Sequence, residues 1–271
     1  VNLEQARLLV RETIGEAILL LEMEGLPIPV ELKRRDPREP KRRDKERAED
    51  RVIEIILRHW RKQRASIREY LAMQNPDRKA LGDPWGEPDP DDVADLTIAL
   101  TDAARAGVWI VAEAIGERSE FANAKRKAST WAALHAGEMF RLIDETTGKA
   151  VRDAIATFID TPGMTIADVV NLLPFEESRA TSIAVTEITN AYAEGQIQAG
   201  AELRDEFPGM AVRKTWFTNN DDRVCEICGP MEGQEVDLDG EFLGGDGERY
   251  QEPPAHINCR CWIDVTTDML A

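Results

Sequence analysis

The 271-residue sequence has little histidine, tyrosine or cysteine, with three, three and four residues respectively, and aromatic residues make up 6% of it. No apolar run approaches the roughly 18 to 20 residues that span a bilayer. The stretch VNLEQARLLVRETIGEAILLLEME carries charges throughout, which excludes a membrane helix and a secretory signal. Positive charge is in short supply. The 34 basic residues face 51 acidic ones, and the net charge of −17 opposes unaided binding to nucleic acid or an anionic membrane surface. The expectation is a soluble protein of a reducing compartment with no membrane partner. What the chain does have is apolar mass: 42% hydrophobic residues suffice for a sizeable core.

Apolar residues recur at helical spacing from Leu3 to Glu24, where GLPIP stops the pattern. Ten basic residues then mix with six acidic ones between Lys33 and Arg51, including KRRDKER, ahead of an apolar stripe through Val52, Ile56 and Trp60. Such a run reads as solvated linker or helix surface, with nucleic-acid contact as the alternative. The proline-rich segment NPDRKALGDPWGEPDPDD reads as a linker, with Asp91 or Asp92 capping the next helix. Long Ala- and Leu-rich stretches predict a helical middle. Thr165 is placed to cap a short helix ending near Leu173, and a further helix is expected from about Glu176 to Leu203, with a small-residue stripe of Ala180, Ala184, Ile188 and Ala191. After EFPGM the pattern changes to short strand-like runs and glycines. Between Ala201 and His256 fourteen carboxylates stand against five basic residues. The predicted fold is mainly α with a small α+β C-terminal module: a helical region with a charged linker over 1–74, a central helical region over 91–163, and a Cys/His-bearing module over 164–271.

All four cysteines lie in that module. Cys225 and Cys228 form C-x-x-C, a spacing that lets one tight turn aim two thiolates at a point, and His256, Cys259 and Cys261 form H-x-x-C-x-C. Cys259 and Cys261 would share one face of a strand. Five donors thus compete for the four places of a closed, structural zinc site. All four cysteines form the first-choice set, and His256 in place of one cysteine is the second. A loop-rich module of this size needs such a staple. A disulfide or simple buried thiols are the alternatives. A redox role lacks the surrounding βαβ pattern, and closeness of His256 to Cys259 in sequence is no evidence for a catalytic dyad. His59 and His135 lie on apolar helices and read as packed or surface histidines.

Three blocks in order resemble the phage Mu F-like minor head proteins, a head-morphogenesis family of tailed phages and prophages. The first is RATSIAVTEITNAYAEGQ, with Arg179, the Thr186-Glu187 pair, Ala191 and Gly195. The second is KTWFTNNDDRVCEICGPMEGQ, with Trp216, Thr218, Asp222, Arg223, the cysteine pair and Gly233. The third is PPAHINCRC, in which Ile257 stands where many relatives have a second proline. The resemblance runs from about Thr165 to Ile263, and the first 160 residues carry no assignable motif. It implies a non-enzymatic minor capsid protein of the virion, present in the host cytoplasm during assembly, associated with portal or major capsid protein and able to touch packaged DNA. Toxin-like enzymatic domains that extend some relatives are not expected here.

On physical grounds Glu187 is a partner for Arg223 or Arg179, locking the helix to the cysteine module under the cover of Trp216; the plain alternative is an exposed helix carboxylate. Asp221 and Asp222 read as turn residues that bond nearby backbone N–H groups. Contact with DNA would need a local basic patch, and the candidates are KRRDKER and Lys125, Arg126 and Lys127 near Trp131. The competing reading is a zinc-dependent hydrolase or nuclease using Asp222, Glu187 or His256 beside the metal, which would require an open coordination position.

Overall fold

In the computed structural model, residues 42–72, 87–115, 121–161, 163–219, 221 and 223–269 are described. The expected helix over Leu3–Glu24 and most of the proline-rich linker lie outside them, as does Asp222. The described chain forms α1 (Arg42–Ala72), α2 (Pro90–Ile115), α3 (Ala122–Asp160), a short α4 (Ile166–Asn171) and α5 (Glu177–Glu206). There follow β1 (Met210–Phe217), a 3-10 turn at Gly229–Met231, β2 (Glu235–Asp237), β3 (Phe242–Leu243), β4 (Arg249–Tyr250) and β5 (Trp262–Met269). The protein is therefore mainly α with a small β module at its C-terminal end, as the sequence implies.

The stripe through Val52, Ile56 and Trp60 is fully buried and lays α1 on the bundle. Polar anchors beside it fix the register. Arg58 and Lys62 reach the buried Asp92 at 2.6 and 2.9 Å, and His59 and Gln63 bond Asp144 of α3 at 2.8 and 2.6 Å. Asp92 is thus an interior counter-charge and not the helix cap. The cap is Asp89, whose carboxylate accepts the Asp91 N–H at 2.9 Å, with Pro90 in the first helical position where its missing N–H costs nothing. At the other predicted cap, Thr165 forms a reciprocal capping box with Asp168.

The centre of the bundle is the crossing of α2 and α5, where Ala180, Ala184, Ile188 and Ala191 are all buried. Two glycines let the backbones touch. A methyl group on Gly107 would overlap the Tyr192 carbonyl, and one on Gly195 would overlap the Ala104 carbonyl. The same helix α5 then carries the β module. β1 sits in the middle of an antiparallel sheet of order β2-β1-β5, with Trp216 opposite Ile263 and Phe217 opposite Trp262. Alternation along β1 buries Val212, Lys214 and Trp216 on one face. Among the described residues no helix is long and apolar enough to cross a membrane.

Candidate metal centre

The two cysteine-bearing segments meet. The C-x-x-C turn is closed by the Gly229 N–H on the Cys225 carbonyl at 2.9 Å, and the Cys228 N–H points at the Cys225 sulfur at 3.4 Å. Opposite it, His256, Cys259 and Cys261 lie on a knuckle held by the Cys259 N–H on the His256 carbonyl. β5 starts at Trp262, so Cys259 and Cys261 precede the strand and do not share a strand face as the spacing implied. All four cysteines are free thiols. Their donor atoms form two groups, Cys225–Cys228–His256 and Cys228–Cys259–Cys261, each within 4.8 Å, with Cys228 common to both. His256 Nε2 lies 3.0 Å from the Cys225 sulfur and 3.2 Å from that of Cys228, and the Cys228 and Cys259 sulfurs are 3.8 Å apart.

Three observations make this a set that can hold a soft cation. His256 Nδ1 is 2.8 Å from the Ile257 carbonyl, which can only accept, so Nδ1 carries the proton and the Nε2 lone pair faces the sulfurs. The Cys228–Cys259 separation equals the edge of about 3.8 Å expected for a tetrahedron with metal–sulfur bonds of about 2.3 Å. Among the described residues the buried Trp216 indole N–H has no acceptor in hydrogen-bond geometry, and it acts on Cys261 so as to favour the thiolate, which a metal-bound sulfur would present as an acceptor. The thiols of the cluster differ in how readily they ionise. Hydrogen bonds with Cys228 and Cys261 hold the Cys259 thiol far below the ordinary range, while its bonds to Cys259 and Cys261 push Cys228 up. Burial opposes protonation of His256, but the Ile257 carbonyl and the charges of Cys259 and Cys225 outweigh it and raise its pKa.

Helix α5 holds the knuckle from beneath through polar side chains on its buried face. The Thr186 hydroxyl accepts the Asn258 N–H at 2.7 Å, the Thr189 hydroxyl donates to the Cys259 carbonyl at 3.0 Å, and Gln196 donates to the Ile263 carbonyl at 2.6 Å. Thr189 and Gln196 escaped the sequence reading. Their signal was there, as polar residues falling on the apolar stripe of a helix.

Other expected pairings are different in the structure. Glu187 does not meet Arg179 or Arg223; it takes His135 Nε2 at 2.5 Å, with His135 stacked on Trp131 at 4.5 Å. The reason is the side of α5 on which it projects, toward His135 of α3. Arg179 donates to Thr147 and to the Pro174 carbonyl and lies over the Trp60 ring, tying α5 to α3 and α1. Trp216 is buried inside the β module edge-on to Phe242 and covers no Glu187 contact. Asp221 is a turn residue, its carboxylate accepting the Arg223 N–H at 3.0 Å. Lys125, Arg126 and Lys127 occupy the first turns of α3, where Arg105 of α2 joins Lys125 and Arg126 around one shallow depression. Glu202, Asp205 and Glu206 flank Arg126 and Lys127 on the other side.

The family model described as phage Mu protein F like protein matches residues 127–264, just over half of the chain. The chain belongs to this family. The Mu F-like region begins within α3, 38 residues before the Thr165 start read from motifs, and so includes the helix that supplies His135 to Glu187. No curated protein and no solved structure matches the sequence.

Proposed function

We propose that this Mu F-like protein is a minor head protein of a tailed phage or prophage, a structural component acting in head morphogenesis beside the portal, in contact with portal or major capsid protein. The family match over residues 127–264 carries the reading. The helical bundle supplies a rigid body, and the C-terminal module beside it is closed by one structural zinc ion held by four of Cys225, Cys228, His256, Cys259 and Cys261. Four protein ligands leave no position for an activated water, and so favour a scaffold over a zinc-dependent hydrolase or nuclease. Metal would supply closure of a loop whose own composition, many carboxylates and few aromatics, offsets little of the entropy lost. Any contact with packaged DNA would use Lys125, Arg126 and Lys127, with Arg105 beside them, and would be weak and salt-sensitive on a chain of net charge −17. Mass spectrometry of purified virions and proheads is expected to detect the chain. Consistent absence from both particles would overturn the structural role.

A further inference from the structure

A cavity of about 170 Å³ opens beside the cysteine cluster. Within the acidic C-terminal region Arg204 and Arg213 are spent on Asp239 and Glu235, and Lys214 is buried over the Phe242 ring. Arg223 and Arg260, which come from the two opposing cysteine segments, both line this cavity; among the described residues neither guanidinium makes a direct hydrogen bond or contact ion pair, and Arg260 is drawn at longer range toward Glu49 of α1. The side-chain amides of Asn219 and Asn258, also on the wall, make no hydrogen bond to the described residues. Thr218 is already committed, its N–H and hydroxyl both donating to Glu232 at 2.6 and 2.7 Å. The lining contains one carboxylate among the described residues, Asp221, and that group is turned to the Arg223 N–H.

We propose that this cavity receives a single carboxylate from a protein partner, gripped by the forks of Arg223 and Arg260 and oriented by the amides of Asn219 and Asn258. Guanidinium groups bind carboxylate with two parallel N–H bonds, and unpaired ones converging on one small space form a receptor for an oxyanion. The surroundings select the source. Fourteen carboxylates lie between Ala201 and His256, so a row of phosphates would be repelled around the cavity even if one of them entered it. A protein can instead present one acidic residue within a basic surface, so that anchor and rim are both complementary. The plain alternative is that the two arginines only balance the thiolate charge of a metal site. It predicts metal loss when they are changed, whereas a receptor predicts loss of the ligand alone. The inference goes beyond the head-assembly reading and does not depend on it, and metal content is measured alongside so that failure of the zinc reading is seen separately.

The test uses the full zinc-loaded chain and two short lysine-rich peptides, one with a central glutamate and one with glutamine in its place. The glutamate peptide should bind about tenfold tighter, the worth of a charge-assisted bond, and should shift the guanidinium Nε–H signals of Arg223 and Arg260. Arg223→Gln and Arg260→Gln should each abolish the preference while keeping bound zinc and the melting temperature. Arg223→Lys, which retains charge but not the fork, should keep part of it. Equal affinity for the two peptides would overturn the proposal, as would zinc loss in the glutamine variants. A short DNA duplex that moves the arginine signals where the glutamate peptide does not would also overturn it, in favour of phosphate binding.

Discussion

Thr189 is the residue on which helix and knuckle depend most directly, because it is 2% exposed and its hydroxyl donates to the Cys259 carbonyl at 3.0 Å. Thr189→Val keeps the shape and leaves that carbonyl buried without the bond, at a cost of about 1 to 3 kcal/mol. Since the bond also orients a donor segment, zinc affinity should fall about 10- to 100-fold, as when an outer partner of a metal ligand is lost; competition with a chromogenic chelator measures it. Glu252 offers a pH test away from the cluster. Burial first, and then the charge of Glu194, push its carboxyl up to about 7 against the pull of Lys214. A carboxyl whose folded pKa is raised holds its proton longer in the folded chain than in the unfolded one. Stability is therefore fully present below the unfolded value of 4.5 and is lost as pH rises toward 7. Glu252→Gln should stabilise the protein at pH 8 by up to about 3 kcal/mol, with the advantage disappearing below pH 4.5. Thermal melts at the two pH values decide it; an advantage equal at both would remove the buried-carboxylate account.

At the level of elements, the α2–α5 crossing sets the distance at which everything else is placed. Gly195→Ala would push a methyl group into the Ala104 carbonyl, and backbone on one helix cannot yield as a side chain can. The expected loss is more than about 2 kcal/mol, read as a lower urea midpoint, while Gly137→Ala on the open face of α3 should be tolerated. The helices were legible in the sequence because their apolar periods are long: the stripe of Val52, Ile56 and Trp60 and that of Ala180, Ala184 and Ile188 both turn out to be buried. The strands were legible as a change in residue type. Pairings were not. Spacing along α5 does not tell whether Glu187 faces α3 or the module, and nothing local marks Asp92 as interior, since its burial depends on Arg58 and Lys62 arriving from another helix. The five donors could be named from spacing alone, but their division into two groups joined at Cys228 is a property of two segments meeting in space.

For the whole molecule, the proposed zinc closure of the C-terminal module, separate from the helical body, should be visible on chelation. With zinc removed, protease cleavage after residue 212 is expected to rise while the helical circular-dichroism signal is largely kept; simultaneous loss of both would show that the metal supports the bundle as well. The clasp between α5 and the knuckle also has a mechanical meaning. Thr186, Thr189 and Gln196 follow one another along the helix, and their partners Asn258, Cys259 and Ile263 follow in the same order along the other segment. A pull on the C-terminal end along the helix axis would load these bonds in shear, all three sharing the force at once. A pull at right angles would open them one at a time, like a zipper. The module should therefore resist tension in one direction far better than in the other, making its attachment to the helical body anisotropic.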